Sequence, residues 1–278
     1  MKSVAVLSGK GGVGKTFVAV NLAYAAKAAV YIDCDVEEPN GHLFFKPLNY
    51  YCEEVSVTIP EIAGDLCTGC RACVDFCQYN ALAYAGNKIM VFDELCHYCG
   101  GCTLVCPVAA IHESSRTIGT LTRGSGNRVM VCSGTLNIGE ANGIPIIKRL
   151  KRFSGLWDTT IIDCPPGSSC AVMESINDCD FCLLVTEPTT FGVHNMALVR
   201  ELAELLGKPY AVLINKALPD EPIVREYCAQ NNIPVIGEIP YNAELADLNS
   251  RGKIAALCNS EYQTLFAGLL QSICGGDA

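Results

Sequence analysis

The sequence predicts an α/β protein, a mostly parallel sheet covered by helices on both faces, with a small cysteine-rich insert. Three observations predict it. Short apolar runs alternate with helical stretches along most of the chain, the pattern of parallel strands with crossover helices. A glycine-rich loop at residues 9–14 joins the first apolar run to an alanine-rich stretch. Eight of the 18 cysteines fall into two matching runs between residues 60 and 113.

Strands are expected near 3–8, 28–33, 128–132, 159–163, 180–186, 210–215 and 234–238, and helices near 15–27, 143–153, 170–177, 191–206, 220–231 and 258–273. Ligands of such sheets bind at the carboxyl ends of the strands. The insert divides the chain into an α/β domain, residues 1–59 and 114–278, and a cysteine-rich domain, residues 60–113. Residues 114–142 are rich in Gly, Ser, Thr and Asn. They read as a turn at Gly124-Ser125-Gly126-Asn127, a short strand at Val129–Cys132, and a hinge or functional loop carrying Gly134, Gly139 and Glu140.

Composition narrows the function. The 278 residues are half hydrophobic and 18% charged, which suits a packed core and not a disordered chain. The net charge of −9 removes electrostatic attraction as a default route to nucleic acid, so none is expected as a partner. No run of 18 apolar residues predicts a membrane span, and the apolar stretch Val4–Leu7 is too short for a signal peptide. The expected location is the cytoplasm, where structural disulfides are disfavoured and many cysteines point to metal.

Gly9-Lys10-Gly11-Gly12-Val13-Gly14-Lys15-Thr16 fits G-x-x-x-x-G-K-[ST] between a strand and a helix, the context that motif requires. Backbone N–H groups of Gly11, Gly12, Val13 and Gly14 would cradle phosphates, Lys15 would reach the β- and γ-phosphates, and Thr16 would hold Mg2+. Two further strands end in acids, Asp33-Cys34-Asp35 and Asp163-Cys164-Pro165-Pro166-Gly167. A strand-end Asp also serves as a helix cap. With Lys10 after the first glycine, the loop resembles the deviant Walker A motif of the MinD superfamily. That group includes the nitrogenase iron protein, Mrp-type cluster carriers and the carbon monoxide dehydrogenase maturation ATPases. The resemblance implies ATP or ADP with Mg2+, and a dimer in which Lys10 reaches the partner's nucleotide. It implies that Asp35 positions the attacking water, that Asp163 holds Mg2+ through water, and that Gly167 offers its N–H to the γ-phosphate. Asp33 would support the Mg2+ shell or fix its loop, and Asn215 would contact the adenine edge. The other reading of Lys10 is a solvated loop lysine, and of Asn215 a turn former.

The cysteine runs are Cys67-x2-Cys70-x2-Cys73-x3-Cys77 and Cys96-x2-Cys99-x2-Cys102-x3-Cys106-Pro107, each position 29 residues from its counterpart. They resemble a bacterial-type ferredoxin with two [4Fe–4S] clusters, in which the fourth Cys of each run ligates the other cluster. The resemblance implies one cluster on Cys67, Cys70, Cys73 and Cys106, and another on Cys96, Cys99, Cys102 and Cys77. The first run has Gln78 where the motif has Pro. The alternative is zinc on the same thiols, although zinc sites more often use CxxC pairs with longer gaps.

Of the remaining cysteines, Cys179-x2-Cys182 reads as structural, because Phe181–Val185 is a buried-strand pattern. Cys34 and Cys164 flank the acids, and Cys170 lies seven residues after Asp163. The nitrogenase iron protein also has a cysteine at that spacing, which implies a metal or cluster held at a dimer interface by Cys170. The expected function is an ATPase whose dimer cycle drives electron transfer through two [4Fe–4S] clusters. It would serve metalloprotein maturation or low-potential reduction of a redox partner, as a homodimer or as a heterodimer with a homologous ATPase. One alternative is an Mrp-type cluster or metal carrier. The other, from a different class, is a MinD-like positioning or scaffold protein. Against it, no Lys or Arg follows Lys253 to form a basic amphipathic tail.

Overall fold

Val4–Leu7, Ala29–Ile32, Ile161–Ile162 and Cys182–Val185 are buried throughout, as strands covered on both faces must be. In the computed structural model, which describes residues 2–275, the chain order is β1 (Lys2–Leu7), α1 (Lys15–Ala25), β2 (Ala29–Asp33), α2 (Gly41–Phe45), β3 (Leu48–Ile62), α3 (Ala72–Phe76), β4 (Leu82–Ala85), β5 (Lys88–Val91) and α4 (Gly101–Leu104). There follow β6 (Ile111–Gly126), β7 (Val129–Leu136), α5 (Ile144–Lys151), β8 (Thr159–Asp163), α6 (Cys170–Ile176), β9 (Phe181–Thr186), α7 (Thr190–Leu205), β10 (Tyr210–Ala217), α8 (Ile223–Gln230), β11 (Val235–Pro240), α9 (Ala243–Ser250), α10 (Ala255–Cys258) and α11 (Ser260–Gly275). Each expected strand and helix is present, with its ends within a few residues of the expected ones.

One sheet of nine strands runs in the order β11-β10-β9-β1-β8-β2-β7-β6-β3. The pairs from β11 to β7 are parallel. The first departure from expectation is residues 114–126, which belong to strand β6 and not to a loop. Gly, Ser and Arg depress strand propensity there, but pairing with β7 and β3 overrides it. The turn falls two residues later than expected, centred on Asn127 and Arg128. Both have positive φ (51° and 64°), as a two-residue type I′ hairpin turn requires. Gly134 lies inside β7.

By contact density the chain forms two units, one of residues 2–52, 121–135 and 147–275, the other of residues 53–120 and 136–146. In the first, α1 is apolar nearly all round and almost wholly buried. Phe17 on α1 meets Phe266 on α11 edge to face, with ring centroids 5.8 Å apart. Asn21, fully buried, donates to the Phe17 carbonyl (2.8 Å) and accepts from the Ala256 N–H (2.8 Å), so its amide ties α1 to α10.

In the second unit, β4 and β5 form an antiparallel hairpin, and two small clusters, Ile59/Ala81/Cys96 and Cys73/Leu82/Ile111, make its core. The 29-residue repeat persists in the backbone. Gly69 and Tyr98 (φ 69° and 60°), Arg71 and Gly100 (66° and 68°), and Asn80 and Ala109 (55° and 50°) are left-handed in matching pairs. Among the described residues, no helix is long and apolar enough to cross a membrane.

Phe266 is fully buried against Phe17. Phe266→Ala is expected to lower unfolding free energy by about 3–5 kcal/mol with an unchanged denaturant slope. Chemical denaturation followed by circular dichroism checks this.

Candidate functional site

The carboxyl ends of β1, β8 and β2, neighbours in the sheet, bring the phosphate loop and the two acidic strand ends together. Gly12 and Gly14 adopt left-handed φ (82° and 94°), which turns the loop into the first residues of α1. No side chain caps α1 and no acid lies in its first turn, so its leading N–H groups are left for an anion. A cleft over this terminus is lined by Gly11, Gly12, Gly14, Lys15, Thr16, Asp35 and Pro166.

Lys15 is buried, 2.6 Å from Asp163 Oδ1 and 4.0 Å from Asp35 Oδ2. Burial alone would lower its ammonium, but Asp163, Asp33 and Asp35 outweigh that and raise it. Asp33 accepts from the backbone N–H groups of Asp35 (3.2 Å), Asn40 (3.1 Å) and Gly41 (2.9 Å). It therefore holds the loop after β2 and does not face the cleft as a free ligand. Burial and the neighbouring Asp163 push its carboxyl up to about 7. Asp35 is pushed to about 6, by burial first, with Lys15 opposing. The Gly167 N–H donates to the Ser8 carbonyl (2.9 Å), so reaching a phosphate requires that bond to break.

Asn215 donates its amide to the Val13 carbonyl (2.7 Å), bracing the phosphate loop. It also lines a second pocket with Phe17, Pro240, Tyr241 and Leu245. Cys34 and Cys164 are fully buried, and burial pushes the Cys34 thiol up to about 12 and that of Cys164 well above its ordinary value. Cys170 is exposed at the start of α6. Cys179 and Cys182 are buried with their sulfurs 3.6 Å apart.

Tyr31 was not foreseen. Its hydroxyl donates to Asp163 Oδ2 (2.7 Å), opposite the oxygen that takes Lys15. Its ring lies so close to Gly41 that a Cβ there would stand 2.2 Å from it. Tyr31 thus links the loop after β2 to the acid ending β8. A buried tyrosine tip must find a partner, so a Tyr within the otherwise aliphatic run Ala29–Ile32 was the available signal.

In the second unit, one cavity is lined by Cys67, Cys70, Cys73 and Cys106 together with Ile62, Ile89 and Ile111. Another is lined by Cys77, Cys96, Cys99 and Cys102 with Ile59, Leu82 and Tyr98. Backbone N–H groups of Tyr98 and Ala110 donate to the sulfurs of Cys96 (3.4 Å) and Cys106 (3.2 Å). Burial raises the Cys73, Cys96 and Cys102 thiols. Among the described residues, no three His, Cys, Asp or Glu side chains are gathered as they would be around one metal ion. Glu140 lies in the loop after β7, and its side chain, 4% exposed, bonds Arg116 (2.7 Å) and the Tyr98 hydroxyl (3.2 Å).

A phosphate loop, an uncapped helix and two strand-end acids define a nucleoside-triphosphate-binding protein of the P-loop class. Residues 4–255 match the CobQ/CobB/MinD/ParA nucleotide binding domain, and the chain belongs to that family of P-loop ATPases. Two Methanocaldococcus jannaschii proteins with no assigned function are similar. MJ0579 is 30% identical over 223 residues, covering 78% of this chain and 80% of that one. MJ0578 is 32% identical over 218 residues, covering 77% of each. Among solved structures, the Pyrococcus horikoshii septum site-determining protein MinD, complexed with Mg-ADP, aligns with a TM-score of 0.62 at 17% identity, over 99% of this chain and 97% of that one. A Cyanothece McdA variant in complex with ATP aligns with a TM-score of 0.60 at 16% identity, over 99% and 96%. At that identity the likeness is one of fold.

Two outcomes follow from the site. Tyr31→Phe removes a hydrogen bond to a charged group, and the Mg2+ concentration for half-maximal ATP hydrolysis is expected to rise about tenfold. A Mg2+ titration at saturating ATP measures it. Asp33 and Asp35 bind protons more tightly folded, up to about 7 and about 6, than unfolded, where carboxyls titrate near pH ~4. Their contribution to stability is present below that value and lost as pH rises through the folded ones. The melting temperature of the Mg2+- and nucleotide-free protein should therefore fall between about pH 5 and 7.5. Asp33→Asn should flatten the slope, and a wild-type melting temperature rising over this range contradicts the assignment.

Proposed function

We propose that this chain is a MinD/ParA-type ATPase whose nucleotide-driven dimer cycle is coupled to two [4Fe–4S] clusters held by its cysteine-rich unit. The observation that carries the coupling is the partition of eight cysteines into two four-cysteine cavities, each completed by the last Cys of the other run. Sulfur-directed N–H groups and the repeated left-handed positions fit an anionic cluster in each cavity. When bound, the clusters supply one-electron transfer.

The chain's own residues divide the nucleotide work. Lys15 would leave Asp163 for the β- and γ-phosphates, and the Thr16 hydroxyl and Asp163, held by Tyr31, would hold Mg2+, which supplies charge neutralisation at the phosphates. Asp35 orients the attacking water, and Asn215 steadies the loop beside the base. Lys10 reaches the nucleotide of the second subunit, a copy of this chain or a homologous ATPase. Catalysis is charge stabilisation and positioning. The partner is a redox protein or a metalloprotein under maturation. An Mrp-type use, with delivery of cluster or metal and Cys170 at the interface, is distinguished by iron leaving the protein during turnover.

A MinD-like positioning or scaffold ATPase is the second reading, and the comparisons favour it. The family match spans residues 4–255 and the MinD and McdA likenesses 99% of the chain, whereas the iron–sulfur reading rests on the cysteine cavities. Anaerobic iron and sulfide analysis, with EPR of the reduced protein with and without MgATP, separates them. The expected result is about eight irons and eight sulfides per chain, with cluster signals altered by nucleotide. Zinc without sulfide, or no metal together with ATP-dependent sedimentation with lipid vesicles, overturns the proposal.

A further inference from the structure

Lys10 is bonded to the carboxylate of Glu187, and its ammonium lies 5.3 Å from the centre of the Phe191 ring. Glu187 follows β9 directly, and β9 lies between β1 and β10 in the sheet. The residue after β9 thus stands between the phosphate loop, which follows β1, and the end of β10. From that end comes a second lysine. Lys216 Nζ is 3.5 Å from the other oxygen, Glu187 Oε2, and donates to the Gly12 carbonyl at 2.8 Å.

Lys216 reaches there from an irregular backbone. It has φ 55°, and the register of β10 against β11 shifts between Asn215 and Ala217. A bulge re-aims a side chain, and a non-glycine residue in left-handed conformation is held there at a cost. The Lys10 and Glu187 side chains are 29% and 17% exposed. Their pairing is screened enough to be broken and sheltered enough to bias where Lys10 goes.

We propose that Glu187 is a latch holding Lys10 on its own phosphate loop in the nucleotide-free chain, and that Lys216 is the replacement counter-ion when Lys10 leaves. This rests on the reading that Lys10 acts on the nucleotide of a second subunit. Without Lys216, that departure would leave a sheltered carboxylate unpaired, which is the costly outcome of breaking an ion pair. With Lys216 in place, the carboxylate exchanges one cation for another. Glu187 and Lys216 are positioning residues for the dimer step.

The two substitutions have opposite signs. In nucleotide-free full-length protein, Glu187→Gln is expected to raise labelling of Lys10 by an amine-reactive reagent about threefold, read by mass spectrometry, the size expected of one partly exposed ion pair. The same variant should lower the protein concentration for MgATP-dependent association, measured by sedimentation velocity, by a similar factor. Lys216→Met should shift both readings the other way, and should have no further effect once Glu187→Gln is present. Lys10 labelling unchanged by Glu187→Gln overturns the latch. Lys10→Ala tests the underlying reading separately. If that variant associates and hydrolyses ATP like wild type, the action on the second subunit falls and the latch falls with it. If Lys10→Ala is defective while Glu187→Gln leaves labelling unchanged, the latch alone falls.

Discussion

Asp33 and Asp163 are direct register partners on neighbouring parallel strands, and both are buried almost completely. Two carboxylates side by side out of water are unfavourable unless their surroundings compensate. Three loop N–H groups take Asp33, and Lys15 and the Tyr31 hydroxyl take the two oxygens of Asp163. Lys15 is therefore the structural counter-ion of Asp163 in the nucleotide-free site. On the proposed reading, phosphates would draw that cation away, and Asp163, with one oxygen held by Tyr31, would take a divalent cation in its place.

The same constraint explains why strand order matters more than helix detail. β9, β1, β8 and β2 are consecutive in the sheet, and their carboxyl ends deliver Glu187, the phosphate loop, Asp163 and Asp33. With β1 between β8 and β9, Lys15 comes beside Asp163 and Lys10 beside Glu187. Ligand sites at strand carboxyl ends are a property of such sheets. Here that property appears as two lysines of one loop, each held by the acid that ends an adjacent strand.

Much of this was legible in the sequence because it is local. The phosphate loop is a contiguous motif, and the buried strands are apolar runs of the right length. The cysteine runs announce themselves by a fixed period. What was not legible is what neighbours decide. Residues 114–126 carry too many Gly, Ser and Arg to read as a strand, and only pairing with β7 and β3 makes them one. The sequence leaves Asp33 two roles, supporting a Mg2+ shell or fixing its loop, and only the amides seven and eight residues on, at Asn40 and Gly41, favour the second. Glu187 is a strand-end acid like Asp163, but nothing in its own segment names Lys10 and Lys216 as its partners. Glu140 lies in a loop, as its polar stretch suggests, but the bonds of its side chain to Arg116 and Tyr98 come from contacts distant in sequence.

The two units solve similar problems at different cost. The phosphate loop places its left-handed residues at Gly12 and Gly14, where that conformation carries no Cβ penalty. The cysteine-rich unit places Arg71, Tyr98 and Ala109 there, at roughly 1–2 kcal/mol each. Strain of that kind persists only where the surroundings over-determine it. The apolar clusters of that unit are small and count two of the eight thiols, Cys73 and Cys96, among their own buried residues. Apolar packing alone is a weak source of the required rigidity, whereas ligands bound across both runs would fix each left-handed turn from two sides. On the proposed reading, the free energy of cluster binding is then part of the folding free energy of this unit. On the same reading, the crossing of Cys77 and Cys106 between the runs would make each half depend on the other.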